Sequence, residues 1–142
     1  MILYTLYFIR YTAIMENCIF CKIVKGEIPS YKVYEDENFM AFLDINPESP
    51  GHVQVIPKKH YRYVWDVPNA GELFEVTKKI AKAQQKAFNT DWILSKIIGD
   101  EVPHAHIWVY PGIKDGDTAS LKLRSASKKD FECNAQKIRN NL

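Results

Sequence analysis

Two histidines one residue apart, His104 and His106, stand in the segment Val102-Pro103-His104-Ala105-His106-Ile107-Trp108-Val109-Tyr110-Pro111. Alternate side chains of an extended strand face opposite ways, so His104, His106, Trp108 and Tyr110 share one face while Ala105, Ile107 and Val109 share the other. The apolar face suits a core and leaves the two imidazoles to a cleft or to solvent. A plain alternative is a pair of surface histidines on an edge strand. Cys18 and Cys21 form a second constellation, whose C-x-x-C spacing fits a redox pair, two buried free thiols or half of a tetrahedral zinc site.

These residues need elements to position them. Ile19, Phe20, Ile23 and Val24 recur at helical spacing until Gly26 and Pro29, which predicts a short helix carrying the two cysteines. Residues 31–34, 39–44 and 52–56 are rich in aromatic and β-branched side chains and are separated by turn residues, the pattern of antiparallel strands. Asn69 followed by Glu72 reads as a capping box opening a helix with an apolar stripe of Leu73, Val76, Ile80, Ala83 and Ala87. Two more strands are expected at 93–98 and 104–110. A second capping box, Ser127 to Asp130, opens a C-terminal helix from about residue 127, with Phe131, Ala135 and Ile138 inward. The order helix, three strands, helix, two strands, helix predicts one α+β domain over residues 15–142, an antiparallel five-stranded sheet with packed helices.

The first fourteen residues are apolar and aromatic, but Arg10 interrupts them well short of a membrane span. They read as an N-terminal extension, either an extra β-strand or residues upstream of a native start at Met15, and the second reading is preferred. With 46% hydrophobic residues in 142, the chain is long and apolar enough for a single core. A formal net charge of +2 argues against nucleic acid or a membrane surface as the partner. Three cysteines are an odd and small number for a secreted disulfide scaffold, so a cytoplasmic location is expected.

Four blocks in order, Cys18 to Pro29, Ala41 to Pro47 with Pro50-Gly51-His52, Val55 to His60, and Val102 to His106, resemble the histidine-triad (HIT) superfamily and in particular its Hint-like branch. The resemblance implies an α+β domain, usually a homodimer, that hydrolyses or transfers nucleotides such as purine nucleoside phosphoramidates at the α-phosphorus. It places the nucleophile at His106, which would form a covalent histidine–nucleotide intermediate. A neutral imidazole suits that role when its other nitrogen holds a hydrogen bond that fixes the tautomer. The same resemblance assigns the ribose contact to Asp44 and the base pocket to Ile19, Phe20, Phe42 and Ile45. For these apolar residues plain core packing is the competing reading. It also supplies the other half of a structural zinc site, His60 and His104, to join Cys18 and Cys21.

The chain departs from the family pattern at two points. Trp108 occupies the position of the third histidine, on the phosphate or leaving-group side of the substrate, and an indole offers one N–H donor but no proton to exchange near pH 7. Galactose-1-phosphate uridylyltransferases, a branch of the superfamily, have glutamine there and keep the central histidine as nucleophile. Asp100 and Glu101 lie where many relatives have a phosphate-contacting glutamine, and they would repel a phosphate unless turned away or neutralised, for instance by Lys96. The alternative function is therefore a nucleotide-binding or sensing module with little or no turnover.

Overall fold

The computed structural model describes residues 1–112 and 126–142. Five strands, β1 (Lys32–Glu35), β2 (Phe39–Leu43), β3 (Val53–Pro57), β4 (Ile93–Lys96) and β5 (Ile107–Pro111), form one antiparallel sheet in the order β1-β2-β3-β5-β4. The helices are α1 (Ile2–Asn17), α2 (Ile19–Val24), α3 (Ala70–Ala87) and α4 (Lys128–Arg139), with a 3-10 turn at Val64–Asp66. The expected α+β domain with a five-stranded sheet is therefore present.

The two-residue period of the strands divides the molecule into two layers. Odd-numbered Phe39, Ala41, Leu43, Val53, Val55, Ile107 and Val109 bury against Leu73, Val76, Ile80 and Ala83 of α3 and Ala135 and Ile138 of α4. Even-numbered Met40, Phe42 and Ile56 face the other way and bury against Cys18, Phe20 and Cys21. Each fully buried aliphatic side chain contributes about 1.5–3 kcal/mol relative to exposure, so both layers are held by ordinary apolar burial. The Gln84 amide, fully buried in α3, donates to the carbonyls of Gly51 and Val109 at 2.8 and 2.9 Å and locks the helix to the ends of β3 and β5. Gly51 is required beside it: its φ is +85°, and a Cβ there would lie 2.3 Å from the Phe88 ring.

Three expectations change. Residues 2–17 form a helix and not a strand: Thr5 and Thr12 return their hydroxyls to carbonyls one turn back, and no described strand pairs with the segment. This helix buries none of its residues fully, and Tyr11 meets the His60 ring edge-on while Met15 packs under α2. The last strand begins at Ile107, so His104 and His106 precede it. In their place Ala105 gives its N–H to the Tyr61 carbonyl at 2.7 Å, which joins this segment to the residues around His60. Asn69 opens α3 without capping it, because its side chain donates to Glu72 and accepts no backbone N–H. The box at Ser127 and Asp130 forms as expected. No helix among the described residues is long and apolar enough to cross a membrane.

Candidate active site and metal centre

Cys18 is the N-cap of α2 and Cys21 its third residue, so the first helical turn brings both sulfurs to one side, with the Cys21 N–H donating to Cys18 Sγ at 3.4 Å. His104 Nδ1 lies 3.4 Å from Cys18 Sγ and 3.5 Å from Cys21 Sγ, and His60 Nδ1 lies 3.3 Å from Cys21 Sγ. All four residues are buried, and their ligand atoms fall within 4.8 Å of one another. Bond lengths of about 2.3 Å to sulfur and 2.0–2.1 Å to nitrogen give a tetrahedral zinc site an N···S edge of about 3.5 Å, which these spacings match. His104 Nε2 donates to the Pro57 carbonyl at 2.8 Å, leaving the Nδ1 lone pair toward the sulfurs. Burial pushes His104 down to about 4 and lowers His60 as well, so both are neutral, the form a metal binds. Burial, with Cys18 alongside, raises the Cys21 thiol to about 12. The donor set therefore fits a structural zinc ion, whose charge would favour the thiolates.

His106 is positioned by its predecessor. Its Nδ1–H donates to the His104 carbonyl oxygen at 2.6 Å, which places the lone pair of the neutral ring on Nε2. Phe20 from α2 packs edge-on against His106, with centroids 5.4 Å apart, and also against Phe42 at 5.4 Å and His104 at 5.8 Å. The imidazole face of the segment is thus roofed by α2, and His106 is buried, where the sequence pattern allows an open cleft or solvent.

Beyond the end of β2, Asp44 lies on this same face. Its Oδ1 accepts the Asn46 N–H at 2.8 Å and its Oδ2 accepts from Gln54 Nε2 at 2.6 Å. His52 stands behind it with Nε2 3.8 Å from Asp44 Oδ2, while its Nδ1 accepts the Glu48 N–H at 3.0 Å. Burial outweighs the nearby carboxylate and holds His52 down at about 4. Trp108 is half-buried on the same face, its ring 5.0 Å from that of His52. A carboxylate with preset geometry, a buried imidazole bearing a lone pair and an aromatic wall are thereby gathered on one sheet face.

The residues from 25 to 115 match the family model for the HIT domain. The chain belongs to the HIT domain family. An adenosine 5′-monophosphoramidase of Saccharomyces cerevisiae is 40% identical over 118 residues, which span 81% of this chain and 74% of the yeast protein. Among solved structures, a Hit-like protein involved in cell-cycle regulation from Bartonella henselae superposes with a TM-score of 0.77 at 37% identity, covering 89% of this chain and 97% of its own. A zinc-bound histidine triad family protein from Mycobacterium smegmatis superposes with a TM-score of 0.73 at 32% identity, covering 89% and 94%.

Within this HIT domain the sequence-expected residues fall into two groups. Cys18, Cys21, His60 and His104 converge, as do Phe20, Phe42 and His106. Ile19 and Ile45 are exposed, and neither is core. Sequence reasoning misses the partners of Asp44: it leaves Gln54 and His52 in the strand expected at 52–56 without a role at the site. An amide in the apolar run Val53-Gln54-Val55-Ile56 is the available signal, since burying it without a bond costs about 1–3 kcal/mol.

Proposed function

We propose that this HIT domain protein acts at the α-phosphorus of purine nucleoside phosphoramidates or related nucleotides through a covalent adduct on His106. The observation that carries the reading is the His106 Nδ1–H bond to the His104 carbonyl, which presents the Nε2 lone pair for attack. In the first step Nε2 bonds to phosphorus and the bond to the leaving amine breaks, the departing nitrogen taking a proton from solvent. In the second, water attacks the same phosphorus, the P–N bond to His106 breaks, and the water proton not kept by the product returns to solvent. Asp44 accepts from the ribose hydroxyls on the lone pairs that Asn46 and Gln54 leave free. Phe20, Phe42, Ile19 and Ile45 hold the base, the last two through side chains that a ligand would cover. Trp108 lines the leaving-group side. The relationship to the yeast phosphoramidase supports the substrate class.

Cys18, Cys21, His60 and His104 hold a zinc ion in this reading, and the zinc-bound relative supports it. With four protein ligands the ion fastens α2 to the sheet and supplies no water for hydrolysis. The reading includes a homodimer, supported by the edge of β4 that no described strand covers, and a cytoplasmic location, supported by two buried cysteines that form no disulfide with each other. Trp108 favours a second reading, binding without turnover, because indole cannot protonate a departing amine. Incubation with adenosine 5′-monophosphoramidate separates the two: AMP release by the wild type at a rate well above that of His106→Ala supports hydrolysis, and tight binding with no release supports the second reading.

A further inference from the structure

Gln54 is buried at the centre of the sheet and is opposed across β3 and β5 by Trp108. Its Nε2 is committed to Asp44 Oδ2 at 2.6 Å, and a planar amide that gives its N–H to one oxygen has its own carbonyl turned away from that oxygen. Among the described residues, Gln54 Oε1 and Gln84 Oε1 are buried acceptors without a partner, and Trp108 Nε1 and His52 Nε2 are buried donors without one; Gln84 belongs to α3, on the opposite face of the sheet. His52 Nε2 carries the proton of the neutral ring, because Nδ1 accepts from Glu48, and it lies 3.8 Å from Asp44 Oδ2. That leaves the indole N–H of Trp108 and the amide oxygen of Gln54, one donor and one acceptor on cross-strand partners sharing a face. Each destabilises the fold if left unpaired in a buried place. An apolar side chain at this position would match the neighbours Phe42 and Ile56 and leave no unpaired oxygen.

We infer that Gln54 is a positioning residue that accepts the indole N–H of Trp108 while donating to Asp44, a relay from indole to amide to carboxylate across β5, β3 and β2. Forming that bond breaks no other, since neither atom has a partner among the described residues. The inference rests on the proposed function in one respect: Trp108 borders the leaving-group side and Asp44 the ribose, so Gln54 joins the two ends of the nucleotide site. It gives a site without the third histidine a fixed donor orientation in place of a titrating one.

The test has two arms. In the first, the indole ¹H–¹⁵N signals of the full-length protein are recorded for the wild type, Gln54→Leu and Gln54→Glu, with Trp65 and Trp92 as internal references and Trp108→Phe for assignment. The Trp108 signal should be protected from exchange and shifted downfield in the wild type, lose both in Gln54→Leu, and keep them in Gln54→Glu, which retains an acceptor but no N–H for Asp44. In the second, AMP affinity is measured in a cycle of Trp108→Phe and Asp44→Asn. The two substitutions should be non-additive by about threefold or more in the wild-type background and additive in the Gln54→Leu background. An unchanged indole signal in Gln54→Leu, or the same coupling in both backgrounds, overturns the inference while leaving the nucleotide reading intact. If the wild type binds no AMP, the nucleotide reading fails and the indole arm still decides whether Gln54 holds Trp108.

Discussion

Asp44 shows how much of a side chain's role is settled by its neighbours. The Asn46 N–H and the Gln54 amide hold both carboxylate oxygens, so its remaining lone pairs point in fixed directions before any ligand arrives. Replacing Asp44 by Ala should weaken nucleotide binding by about 1.5–3 kcal/mol, the range for a charged hydrogen-bond acceptor, as read by calorimetry with AMP. Unchanged affinity would remove Asp44 from the site. His52 makes a separate prediction about pH. Its pKa falls from 6.5 to about 4 on burial, so the unfolded chain takes up the proton first, and this contribution is lost as pH drops from about 6.5 toward 4. An asparagine in its place keeps an acceptor for the Glu48 N–H and has nothing to titrate. Denaturant melts at pH 7 and pH 5 should show the wild type losing about 2 kcal/mol more than His52→Asn over that interval.

At the scale of elements, the turn Pro50-Gly51-His52 sets where β3 begins and hence where His52 and Gln54 sit. Gly51→Ala should destabilise the fold by about 1–3 kcal/mol, through a positive φ and a Cβ pressed into the Phe88 ring, and thermal melts compare the two proteins directly. Strand alternation is legible in residues 39–44 and 52–56 because one face is uniformly apolar and the turn residues between them are unambiguous. Alternation also places His106 and Trp108 on one face, although the strand starts only at Ile107. The backbone before it is occupied by the Ala105 bond to Tyr61, a tertiary contact that no local pattern reports. The strand reading of the first residues fails for a related reason: Tyr, Thr and Ile favour strands only where a sheet edge receives them. Gln54 escapes notice because a single amide in an apolar run carries no spacing, and its meaning comes from Asp44 and Trp108 elsewhere in the sheet.

For the whole molecule, the zinc reading ties three distant parts of the chain together, since the sulfurs of α2 meet imidazoles 39 and 86 residues farther on. Purified protein should carry about one zinc per chain, and Cys18→Ala should lose the metal and melt at lower temperature, because metal binding contributes directly to folding. Metal-free protein of undiminished stability would return Cys18 and Cys21 to a buried thiol pair. The two layers of the sheet divide the work: α3 and α4 close one face as core, and α2 roofs the other around His106. Whether His106 Nε2 forms the bond to phosphorus is decided by protein taken from a single turnover with adenosine 5′-monophosphoramidate, denatured at alkaline pH because a P–N bond to histidine is lost in acid, and mapped by peptide mass. One adenylyl group per chain is expected, on His106 and absent from His106→Ala; a group carried on any other residue, or undiminished AMP release by His106→Ala, would rule His106 out as the nucleophile.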